Sequence, residues 1–173
     1  YIHYLLIDCN NDCDLKKLSD SVIGINFSNL ESLILGKDKF SLITKYFLDL
    51  IEKGQLINLV KLNLNISDPK FNLQELRPLQ NISKLKKLEI LNLKTRRKTI
   101  NSDIFMKCLM EGASGPEIKF LSFDFVGSIF QPNTVKYLEM LYSLKNLITL
   151  SIDFTGARIS QQELNKIEVF NRC

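Results

Sequence analysis

Leu59-Val60-Lys61-Leu62-Asn63-Leu64-Asn65 and, 29 residues on, Leu88-Glu89-Ile90-Leu91-Asn92-Leu93-Lys94 carry leucine at the same first, fourth and sixth positions. Moving outward in both directions recovers the phase as Ile2-x-x-Leu5-x-Ile7, Leu30-x-x-Leu33-x-Leu35, Ile118-x-x-Leu121-x-Phe123 and Leu147-x-x-Leu150-x-Ile152. Successive copies begin 28, 29, 29, 30 and 29 residues apart. Phe27, Leu56, Leu85 and Leu144 stand three places before four of them. The copy starting at Ile118 has Gly115 there, inside Glu111–Glu117 (EGASGPE), where the period also lengthens by one. Self-similarity held in one phase is the signature of stacked units, none of which can bury its apolar face alone. The alternation at the fourth and sixth positions predicts a short strand in each copy.

Helical spacing fills the intervals. Leu42, Ile43, Tyr46, Phe47, Leu50 and Ile51 form one amphipathic set, and Ile104, Phe105, Cys108 and Leu109 another. Leu138, Leu141, Tyr142 and Leu144 make a third. Asn101-Ser102-Asp103 and Asn133-Thr134 are N-terminal cap signals for the last two. Leu73, Leu76, Leu79, Ile82 and Leu85 instead step by three, with Pro78 among them. That spacing predicts a tighter or broken helix. Strands alternating with helices give an α/β class with a parallel sheet.

Composition closes several doors. In 173 residues, 45% are hydrophobic and 24% charged, which suits a globular fold and excludes a disordered chain. No apolar run approaches the roughly 18 residues of a membrane span. A net charge of +4 falls short of a dedicated nucleic-acid binder. Four scattered cysteines and one histidine give no zinc spacing. They fit a reducing, intracellular and most simply cytoplasmic compartment. The chain opens at Tyr1 without a signal-peptide core and stops within a helical pattern. We therefore expect a piece of a longer protein.

With these repeats the chain resembles the leucine-rich repeat family, in particular its ribonuclease-inhibitor-like class of 28–29-residue units. The resemblance spans residues 1–173, with repeats beginning near 2, 30, 59, 88, 118 and 147. It implies a right-handed solenoid of about six repeats, with a parallel β-sheet on the concave face and helices on the convex face. One feature departs from the family, which places Asn or Cys three residues after the sixth position. Here those sites hold Asn10, Asp38, Ser67, Arg96, Val126 and Thr155. Irregular loops are expected after the fourth and fifth strands. Extra apolar residues at Ile66, Phe125 and Phe154 suggest that some strands run on by two residues. Without a polar cap at the first strand, Leu5 and Ile7 would face nothing. Further repeats or another chain are expected to cover that end.

Third, fifth and seventh positions should line the open face of the sheet in rows. Ile90 and Phe120 would then be apolar neighbours rimmed by Lys61, Asn92, Ser122 and Thr149, the anatomy of a small binding hot spot. A covering loop or flanking segment would explain them equally well. Asp124 and Asp153 would sit side by side next to Lys94. Paired carboxylates can do acid–base work or hold a metal, but no other residues support catalysis. A solvated charge ladder is the plainer reading, and a contact for a basic partner the next. Lys94 leads into Arg96, Arg97 and Lys98, candidate phosphate contacts, with Lys84, Lys86 and Lys87 nearby. No aromatic residue interleaves with them, so nucleic acid is only weakly signalled.

Asn26-Phe27-Ser28, Asn65-Ile66-Ser67 and Asn81-Ile82-Ser83 match the glycosylation acceptor pattern at a frequency chance would give. Cys9 and Cys13 read as small hydrophobes, and His3 as structural. The sequence thus points to a non-enzymatic protein–protein interaction module that needs no cofactor. It would dock a partner through Lys61, Ile90, Asn92, Lys94, Phe120, Ser122, Asp124 and Asp153. The alternative is a structural subunit held by its ends or convex face in a large assembly, ribonucleoprotein or cytoskeletal.

Overall fold

The computed structural model describes residues 2–8, 20–36, 41–67, 73–95, 102–129, 134–160, 162 and 165. Strands β1 (Tyr4–Ile7), β2 (Ser32–Leu35), β3 (Lys61–Asn65), β4 (Ile90–Lys94), β5 (Phe120–Asp124) and β6 (Thr149–Asp153) form one sheet in chain order. All pairings are parallel. Each strand starts at the third position of a repeat, so the period becomes the register: Tyr4 pairs with Ser32, Ser32 with Lys61, Lys61 with Ile90, Ile90 with Phe120 and Phe120 with Thr149. Entry into each strand is uniform. The N–H groups of Val60 and Lys61 both donate to the Glu31 carbonyl, and those of Glu89 and Ile90 to that of Val60. Lys119 and Phe120 repeat this on Glu89.

Helices α1 (Ser41–Glu52), α2 (Ser102–Ala113) and α3 (Thr134–Glu139), the last running into a 3-10 turn at Met140–Ser143, occupy the intervals with the 3-10 helix η1 (Leu73–Lys84). Leu33, Leu62, Leu91 and Leu121 point from the sheet into one core with Ile43, Phe47, Phe105, Leu109 and Leu138 of the helices. The fold is therefore α/β, with an all-parallel sheet and helices packed on one of its faces. A 3-10 helix rarely exceeds four residues, yet η1 has 12. Its sequence explains why. With three residues per turn, a step of three aligns Leu76, Leu79 and Ile82 on one buried side. Pro78 within it has no N–H to offer an α-helical ladder.

The backbones of α2 and η1 meet closely. A Cβ on Gly112 would lie 2.2 Å from the Leu79 carbonyl oxygen, and one on Gly115 would lie 2.7 Å from that of Ser83. This explains why Gly115 replaces the apolar residue found at that place in the other units: the space is filled by the backbone of η1.

Three expectations need correction. First, the strands do not run on through Ile66, Phe125 and Phe154. They end at Asn65, Asp124 and Asp153, where each side chain makes an Asx turn. Their Oδ1 atoms accept from the N–H groups of Ser67 (3.0 Å), Val126 (3.2 Å) and Thr155 (2.9 Å). The turn sends Ile66 and Phe125 into the core, where both are buried.

Second, the loop after β5 is regular. Phe125-Val126-Gly127-Ser128-Ile129 has its copy in Phe154-Thr155-Gly156-Ala157-Arg158, with Gly127 at φ +69° and Gly156 at φ +65°. The two turns bond to each other, Gly127 N–H to the Thr155 carbonyl and Arg158 N–H to that of Ser128. Phe125 and Phe154 stack at 6.1 Å. Hydroxyls bind two further loop carbonyls, as Thr95 Oγ1 donates to the Asp124 carbonyl and Ser128 Oγ to that of Thr95. Residues Asn10, Asp38 and Arg96 lie outside the described residues.

Third, the N-terminal strand is better covered than a bare end would be. Ile7 is only 4% exposed and shares the core with Val22 and Phe27, although Leu5 is covered only in part.

Candidate functional site

The face of the sheet opposite the helices is where the sequence places its candidate residues. Ile90 and Phe120 are register partners, as the row arithmetic requires. Phe120 is 41% exposed and Ile90 half-buried beside it. Lys61 flanks Ile90 from β3 and Thr149 flanks Phe120 from β6. Below this row, Asn92 Nδ2 donates to Asn63 Oδ1 at 2.7 Å, and Ser122 and Ser151 continue the line across β5 and β6. A groove of about 490 Å³ follows the C-terminal ends of the strands, lined by Asn63, Asn92, Lys94, Ser122, Asp124 and Asp153 among others. The structure thus gathers all eight residues singled out for partner binding onto one face.

The two aspartates are register neighbours, and Lys94 is the partner of Asp124 on its other side. Their Asx turns give them a structural task that the sequence reading missed. In each carboxylate one oxygen already holds the N–H two residues on. No group of three metal-ligating side chains occurs among the described residues. The pattern Asx-x-x directly after the sixth repeat position was the available signal.

Away from the open face, three lysines are engaged between units. Lys84 Nζ donates to the Glu52 carbonyl at the end of α1, where it also opposes the helix dipole. Lys87 donates to Asn58 Oδ1 at 2.7 Å, and Lys119 pairs with Glu89 at 2.7 Å. The hydrogen bond to Glu89 raises Lys119 above the usual lysine range. On the open face, Lys61 is half-buried and Lys94 exposed, and neither has an acidic partner among the described residues. Arg96, Arg97 and Lys98 lie outside the described residues, so the basic run is placed only at its first member.

The minor signals find ordinary explanations. Asn26 and Asn65 each cap the N–H of the serine two residues on, and Asn65 is 7% exposed, too buried to accept a glycan. His3 Nδ1 lies 3.0 Å from Glu31 Oε1 at the surface. Cys108 is a free thiol in the core, where burial, followed by the nearby Glu111, pushes its pKa up. Cys9 and Cys13 lie outside the described residues. No protein-family model, curated protein or solved structure matches the chain.

Proposed function

We propose that the chain is a leucine-rich repeat solenoid of about six units, of the ribonuclease-inhibitor-like class, and that it acts without catalysis as a docking module for a partner protein. The open face of the sheet is its concave surface. The observation that carries this reading is the register pair Ile90 and Phe120, an apolar seat on the one face that the helices leave bare. Large apolar side chains in a polar rim are where binding energy concentrates. No described helix is long and apolar enough to cross a membrane.

The double variant Ile90→Asp, Phe120→Asp tests the reading. Both side chains point away from the core, so the circular dichroism spectrum and melting profile should hold while capture of stoichiometric partner proteins from the native source is lost. Unchanged capture would sink the concave-face reading.

A second reading draws on β6. Ile148 is 72% exposed, and Leu150 and Ile152 are covered only in part, which suits a surface built permanently into an assembly. In that case the isolated chain self-associates in sedimentation and Ile148→Lys restores the monomer.

A further inference from the structure

The seat on Ile90 and Phe120 lies within reach of Lys61 and Lys94, which have no acidic partner among the described residues. Resting on the docking reading above, we propose that its occupant is an extended acidic peptide segment carrying one aromatic or branched aliphatic residue. That residue packs on Ile90 and Phe120, one carboxylate meets Lys61 beside them, and a second meets Lys94.

Three observations support this. The first is the state of the lysines on the open face: Lys61 and Lys94 have no side-chain acceptor among the described residues. A cation held next to an apolar seat and lacking an internal partner favours an anionic guest, and the seat desolvates and strengthens the pairing.

The second is spacing. Lys61 is the register partner of Ile90, so it stands one strand, about 4.8 Å, from the seat. Lys94 lies four residues further along β4, about 13 Å away. A guest in extended conformation advances about 3.3 Å per residue. An acidic residue adjoining the anchor and another about four residues away therefore reach both ammonium groups.

The third is the neutral row between them. The Asn63 and Asn92 amides are joined to each other at 2.7 Å and present further donor and acceptor capacity to a peptide backbone. They carry no charge that would favour phosphates over carboxylates. Asp124 and Asp153, on the β5 and β6 side of the groove, confine the acidic residues of the guest to the β3 and β4 side.

The experiment is selection of a random-peptide phage library on the full chain, followed by fluorescence polarisation with the selected peptides. The result expected is a consensus with one aromatic or branched aliphatic residue and acidic residues on the spacing above. The double variant Lys61→Glu, Lys94→Glu should then bind about tenfold more weakly or worse, and lysine in place of the peptide's acidic residues should restore binding to it. A neutral or basic consensus, or no consensus, overturns the proposal. So does binding that ignores the lysine variant but is abolished by Ile90→Asp, Phe120→Asp, a result that leaves the concave docking site itself standing. Peptide binding indifferent to both double variants defeats the docking reading as well. A labelled oligouridylate that binds at physiological salt and is lost in the lysine variant assigns the lysines to phosphates and overturns the peptide.

Discussion

Strands β3 and β4 differ from β6 in burial, although their apolar patterns are equally good. Leu62, Leu64, Leu91 and Leu93 are at most 1% exposed, while Leu150 and Ile152, at the same positions of the last strand, are covered only in part. Pattern fixes which side chains point inward, and neighbours on both sides decide how completely they are buried. Among the described strands β6 has a pairing partner on one side only. The β4 and β5 units also share a tie that has no counterpart at β6 among the described residues. Glu89 and Lys119 pair across β4 and β5 at the second repeat position, where the β6 unit has the exposed Ile148.

The sharpest test of this difference is truncation at equivalent positions. Leu91→Ala should cost about 3–5 kcal/mol in urea unfolding, the range for a fully enclosed leucine whose cavity cannot collapse. Leu150→Ala should cost about 1–2 kcal/mol, since part of its surface already meets solvent. Equal losses at the two sites would end the comparison.

Glycines give a second and smaller contrast. Gly112→Ala places a methyl against the backbone of η1, which cannot swing aside as a side chain would, and should cost about 3 kcal/mol. Gly156→Ala meets nothing within 4 Å and suffers only from φ +65°, about 1 kcal/mol. Thermal melts of the two variants should rank in that order.

The smallest effect expected is the tie at Lys119. Its folded pKa is raised by Glu89, so its contribution is fully present below the unfolded lysine value of about 10.4 and is lost as pH rises through the folded one. The difference in melting temperature between the native chain and Lys119→Met should therefore shrink between about pH 9 and about pH 12. A difference that is constant with pH would mean that the side chain contributes packing and not charge.

Much of this architecture is legible in the sequence because its period is also its register. Leu59 and Leu88, set 29 residues apart, are enough to place Lys61 beside Ile90, and the same arithmetic puts Ile90 beside Phe120. The step of three from Leu73 to Leu85 likewise marks η1 as tighter than an α-helix. The loops were harder to read. Asn65, Asp124 and Asp153 look like surface charge or polarity when strand alternation is simply continued, yet each folds back on its own chain and ends the strand. The Phe-x-Gly turn at Phe125 and Phe154 occurs in only two described units, too few to stand out against six copies of the strand pattern. The candidate site was legible as positions. Its electrostatics were not, since which lysines remain unneutralised depends on contacts between units.

The slender helix η1 has a consequence for shape. Neighbouring strands are about 4.8 Å apart, whereas packed α-helices need about 8–10 Å, so stacked units must splay like wedges on their helical side. A 3-10 helix is wound more tightly than an α-helix, and the bare backbone of Gly112 lets α2 settle directly onto it. The helical layer is thereby drawn in toward the spacing of the strands behind β4, the strand that carries Ile90.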